Sequence, residues 1–86
     1  MSHLTISPNP VYSDNCIVNF NLIENGNITF EILDLLGNLY FSCDAFYGIG
    51  EHSVSFDTKN IPIGTYTCRI AMNGKTIGTA NFVIAK

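Results

Sequence analysis

The sequence predicts an all-β fold, an antiparallel β-sandwich of about seven strands. Two observations carry this. The 86 residues include 11 Ile, 4 Val and 7 Thr, with 6 Phe and 4 Tyr besides, a composition enriched in strand formers. Apolar and polar residues also alternate with period two, interrupted every eight to twelve residues by Gly, Asn, Asp or Pro, whereas no stretch of ten residues keeps a 3.6 period. Strands this short at this spacing read as a sandwich.

The elements follow in order. Leu4-Thr5-Ile6-Ser7 is a short first strand, stopped by Pro8-Asn9-Pro10, because prolines donate nothing to a ladder. Cys16, Val18, Phe20 and Leu22 form the inner face of the second strand. After a turn at Glu24–Asn27, Ile28, Phe30 and Ile32 do the same for the third. Asp34–Asn38 is the next turn, and Leu39–Cys43 is a strand apolar in both registers, so its faces are not assignable. Phe46–Gly50 reads as a loop whose glycines supply positive φ. Val54 and Phe56 mark the fifth strand, ending at Asp57, and Tyr66, Cys68 and Ile70 the sixth. Asn73-Gly74 is a type I′ hairpin signal. A two-residue loop there pairs Met72 with Lys75, which puts Cys68 opposite Thr79. The later apolar set, Ala80, Phe82 and Ile84, has the opposite parity. One extra residue near Gly78, a bulge, restores the phase. The expected core is Val18, Phe20, Ile28, Phe30, Val54, Phe56, Tyr66 and Ile70.

Charge excludes several functions. Four Lys+Arg against seven Asp+Glu leave a net charge of −3, the wrong sign for nucleic acid or a polybasic membrane anchor. No apolar run is long enough for a helical membrane span. The segment Met1-Ser2-His3 reads as a linker or tag remnant and lacks the features of a secretory leader. Either the protein is cytosolic or this domain was cut from a chain whose leader lies elsewhere.

Candidate chemistry is sparse. His52 and Ser53 point to opposite faces of one strand, so they form no nucleophile–base pair, and a solvent-facing polar edge is expected. Asp14, Asp34, Asp44 and Asp57 are spread among turns, where Asp caps its own backbone; calcium needs six to eight gathered oxygens. The three cysteines lack zinc spacing. No catalytic residue, cofactor or metal site is expected. Tyr40, Phe41, Phe46 and Tyr47 are expected to serve packing, with alternation burying half of them.

Gly64-Thr65-Tyr66-Thr67-Cys68 places a tyrosine two residues before a cysteine at the start of a late strand. This resembles immunoglobulin-type domains, where a tyrosine corner precedes the second bridging cysteine. The resemblance makes the fold Ig-like and implies Cys16 and Cys68 as a candidate disulfide pair. Two buried thiols are the alternative and the preferred reading.

Pro8-Asn9-Pro10, Asp34-Leu35-Leu36-Gly37-Asn38, Ile61-Pro62-Ile63-Gly64-Thr65-Tyr66, Asn73-Gly74-Lys75 and Asn81–Lys86 occur in an order that resembles the C-terminal sorting domain of the type IX (Por) secretion system of Bacteroidetes. The resemblance covers residues 4–86, with Ser7 where an aromatic is usual and Asn81 where lysine is common. It implies a sorting signal for a larger cargo fused upstream. It also implies recognition by outer-membrane type IX machinery, removal by a sortase, and a cargo that ends secreted or at the cell surface. Recognition then falls to Pro8, Asn9, Pro10, Gly37, Gly64, Tyr66, Asn73, Gly74, Phe82, Val83, Ile84 and Lys86. The isolated domain is expected to be a monomer that binds no nucleic acid, and removing Val83–Lys86 is expected to spare the core. The competing function is an Ig-like adhesion or carbohydrate-binding accessory module of a secreted surface protein.

Overall fold

The computed structural model describes residues 4–86, and the linker or tag reading of Met1–His3 lies outside the described residues. Seven strands run β1 (Leu4–Ser7), β2 (Asn15–Leu22), β3 (Gly26–Asp34), β4 (Leu39–Tyr47), β5 (Gly50–Asp57), β6 (Gly64–Met72) and β7 (Lys75–Ile84). They make two antiparallel sheets, β1-β2-β5 and β4-β3-β6-β7. The predicted sandwich is therefore the fold.

Alternation sets the faces. Cys16, Val18, Phe20 and Leu22 are buried from one sheet, and Ile28, Phe30, Ile32, Tyr66, Cys68 and Ile70 from the other. Phe30 lies at the centre, its ring within 5.1–5.8 Å of those of Phe20, Tyr47 and Phe56. Such tilted and edge-on contacts favour the positive ring edge against the negative face. Of the expected core only Val54 stays partly open, packed on the margin. Val11, Thr58, Ile61, Phe82 and Ile84 complete the interior.

Asn73 and Gly74 take φ of +53° and +78°, as a two-residue hairpin turn requires. Met72 pairs with Lys75, the register shifts between Ile70 and Ala71, and Cys68 then faces Ala80 while Tyr66 faces Phe82. The bulge thus puts Ala80, Phe82 and Ile84 on the inner face, as the parity of Phe82 and Ile84 demanded.

One expectation is corrected, and the faces of β4 are settled. Phe46 and Tyr47 belong to β4 and Gly50 to β5, so the loop between them is only Gly48-Ile49. A second bulge, between Ile32 and Leu33, leaves Leu33 opposite Leu39 and Ile32 opposite Phe41. Hence Phe41, Cys43 and Tyr47 turn inward while Phe46 lies exposed.

At one side of the sandwich the edge strands β1 and β7 come together. Cross-strand pairs tie the outer faces: Arg69 Nε donates to Glu31 Oε1 at 2.7 Å, and Thr67 donates to Asn81 Oδ1 at 2.8 Å. Asn81 thus has work in the position where lysine is common. Ser7, in place of an aromatic, accepts from Asn19 Nδ2 at 3.2 Å.

Phe30→Ala should cost about 3–5 kcal/mol, the usual range for emptying a buried aromatic site. Chemical denaturation checks it: a loss below about 1.5 kcal/mol would mean that the core is not centred on this ring.

Candidate functional site

Most of the residues singled out by sequence gather at one end of the sandwich. β2 and β6 start there, β3, β5 and β7 finish there, and three connecting segments and the last residues of the chain cover it. Strand β6 sets the level: Gly64 faces Ile84 and Tyr66 faces Phe82 on β7, while Asp34 on β3 faces Tyr66.

The Ile61–Gly64 segment is fixed by a tyrosine corner. Tyr66 Oη donates to Pro62 O at 2.6 Å, bending the chain into β6 as in immunoglobulin-type domains. The ring lies under Gly64, 3.5 Å from where a Cβ would stand, and edge-on to Tyr40 at 5.4 Å. Burial raises the Tyr66 phenol above its ordinary value, with smaller contributions from Tyr40 and Asp34. The hydroxyl therefore stays a donor.

The Asp34–Asn38 turn is organised by one carboxylate. Asp34 Oδ1 accepts from the amides of Leu36 and Asn38, both at 2.9 Å, and Oδ2 accepts from Asn38 Nδ2 at 2.9 Å. These bonds, the Asn38 side chain first, lower the Asp34 pKa below its ordinary value. Gly37 supplies φ +84°, and Leu35 and Leu36 are left 73% and 89% exposed.

The Pro8–Val11 segment lies along the last strand. Both proline bonds, Ser7–Pro8 and Asn9–Pro10, are cis. Val11 is fully buried and bridges Ile84 in parallel: its amide donates to Val83 O at 2.7 Å, and its carbonyl accepts from Ala85 N at 2.8 Å. Lys86 closes the end. Its Nζ donates to Thr58 O at 2.5 Å and Lys59 O at 2.9 Å and meets Asp14 Oδ1 at 3.5 Å, which occupies all three donors of an ammonium.

Pro8, Asn9, Pro10, Gly37, Gly64, Tyr66, Phe82, Val83, Ile84 and Lys86 thus share one end. Asn73 and Gly74 do not: the full length of β6, nine residues, separates them from it. Tyr66, Phe82 and Ile84 are buried, so on the folded domain they shape this end rather than touch a partner. Removing Val83–Lys86 would extract the fully buried Ile84 and both bonds to Val11, so that deletion does not spare the core. Val11 and Thr58 were missed. Val11 stands between Pro10 and Tyr12 with no alternation to flag it, and Thr58, fully buried, follows the end of β5.

The remaining polar groups are committed elsewhere. Ser53 donates to Asn19 Oδ1 at 2.7 Å, while His52 Nε2 reaches Gly48 O at 2.8 Å. Since a carbonyl only accepts, Nε2 carries the proton. His52 lies on the edge strand β5 but is only half-exposed, because its ring stacks on Phe20 at 5.2 Å. Asp44 accepts from Thr29 at 2.6 Å and Asp57 from Lys59 N at 2.8 Å.

The chain matches the family model described as the secretion system C-terminal sorting domain over residues 5–85. It belongs to that family. The domain is a C-terminal sorting signal for type IX secretion, and its cargo is secreted through the outer membrane. This is a family of sorting signals rather than of enzymes. No curated protein matches the chain.

The cysteines of this sorting domain are free thiols. Burial pushes Cys16 up to about 11. It pushes Cys68 up to about 12, with Cys16 and Cys43 adding to the shift. Cys43 is raised by burial and by Asp44. No Cα of β2 lies within 8 Å of one in β6, and a Cys16–Cys68 bridge would need the two Cα atoms within about 7 Å. Titration of the purified chain should find three thiols in denaturant and little reaction in the native state at pH 8, where the buried groups stay protonated. One thiol per chain at monomer mass would contradict this.

Proposed function

We propose that the sorting signal is read as a folded surface, at the end where Pro8–Val11, Asp34–Asn38, Ile61–Gly64 and Phe82–Lys86 meet. The observation that carries this is convergence: motif segments more than 70 residues apart in sequence are hydrogen-bonded to one another there. That end also presents Leu35, Leu36 and Ile63, which are 73%, 89% and 68% exposed. Isolated exposed apolar side chains are ordinary, but several around one set of fixed turns suit a protein partner. The partner is the outer-membrane type IX machinery. The domain itself carries out no chemistry, and a sortase removes it and leaves the cargo at the cell surface. The exposed aromatics Tyr40 and Phe46 do not favour a sugar-binding module, since six residues of strand, roughly 20 Å, separate them.

The test uses a reporter with a periplasmic leader fused ahead of the domain, in a host that carries type IX machinery. Leu36→Glu and Ile63→Glu should lower export severalfold. Neither should shift stability by more than about 0.5 kcal/mol, as is usual for exposed positions. Ile49→Glu, exposed at the opposite end, should be exported normally. Equal loss from both ends would contradict the proposed surface, and retention of the unsubstituted fusion would contradict the sorting function.

A further inference from the structure

β7 is an edge strand of its sheet, and an unpaired edge strand exposes alternate amides and carbonyls. Toward β6, Phe82 and Ile84 face Tyr66 and Gly64. On the opposite edge, Asn81 O, Val83 N, Val83 O and Ala85 N all meet the segment after β1. Val11 serves Val83 O and Ala85 N through its own peptide groups. The other two go to a side chain: Asn9 Oδ1 accepts from Val83 N at 3.1 Å, and Asn9 Nδ2 donates to Asn81 O at 3.5 Å.

The reason lies in the neighbours. Pro8 and Pro10 have no N–H, so the chain at this point is short of backbone donors. A carboxamide offers an acceptor and donors in one plane, as a peptide unit does. The Val83 amide can only donate, which fixes the Asn9 oxygen toward Val83 and its nitrogen toward Asn81. The first of these bonds is of ordinary length and the second is at the outer limit for a hydrogen bond. Asn9 is exposed, and both of these side-chain hydrogen bonds go to β7.

We infer that Asn9 is a positioning residue for the sorting signal: its side chain stands in for a strand and holds Asn81–Ala85 against the sandwich in the form the secretion machinery reads. This rests on the reading of the domain as a folded signal. It assigns Asn9 a role through β7 and not through direct contact with the machinery. The Pro-Asn-Pro segment and the last strand are then two halves of a single feature.

The experiment pairs amide hydrogen exchange of the chain with export of the reporter fusion. Asn9→Ala should speed exchange of the Val83 amide roughly five- to tenfold, the factor that one lost hydrogen bond is worth, and should lower export severalfold. Asn9→Asp keeps the acceptor but turns a second oxygen toward Asn81 O, so its export should fall as well. Ile28→Val, a core change far from this end, serves as a control: it lowers the melting temperature while leaving Val83 exchange and export as in the parent. Normal export of Asn9→Ala with Val83 deprotected would overturn the proposal, because the signal would then be read without its clip. Unchanged Val83 exchange would overturn it too. Loss of export with Ile28→Val would reduce Asn9 to a matter of stability. Retention of the unsubstituted fusion would instead strike the sorting function itself.

Discussion

A sandwich of two open sheets must dispose of the outer edge of β7, and the way this chain does so organises the rest. The unpaired groups of Asn81, Val83 and Ala85 are met by Asn9 and Val11. Val11, fully buried, thereby becomes a core residue that crosses from the first sheet toward the second. Lys86 reaches onward to Thr58 and Lys59. One end of the molecule is thus fastened by contacts spanning almost the whole sequence. A partner that touches it meets β1–β2, β5–β6 and β7 segments together.

This arrangement bears on how a sorting signal works. A linear peptide would be recognised by side chains on an extended backbone, yet Phe82 and Ile84 point into the core and Lys86 spends its donors on two of the domain's own carbonyls and on the Asp14 carboxylate. What remains outward is the margin: Leu35 and Leu36 on a turn held by Asp34, Ile63 before the tyrosine corner, and Val83, 37% exposed on the outer face. On the proposed reading, folding is part of the signal. The buried thiols fit a domain that passes through an oxidising compartment, since protonation and burial leave them little to react with.

Legibility in the sequence followed the physics of each element. β2, β3 and β6 alternate cleanly because one face is core and the other water, and their inner residues were readable in full. The bulge in β7 was legible because a type I′ turn fixes register while Phe82 and Ile84 fix parity, and the two conflicted by one residue. β4 was not legible. It is an edge strand with apolar residues on both faces, and its own bulge shifts the phase after Leu39. The exposure of His52 was misjudged because alternation of polar residues cannot reveal that its ring packs against Phe20. The motif segments were recognisable, but their meeting was not: Asn9 and Val83 are 74 residues apart, and no local pattern announces a side chain doing the work of a strand.

The most direct measurement is photo-crosslinking from single positions in an export-competent fusion, inside cells that carry the type IX machinery. A photoreactive side chain at Leu36 or Val83 should capture outer-membrane components of that machinery, while the same group at Asn73, at the far end of β6, should capture none. Capture from Asn73 as strong as from Leu36 and Val83, or from Asn73 alone, would contradict recognition at the fastened end.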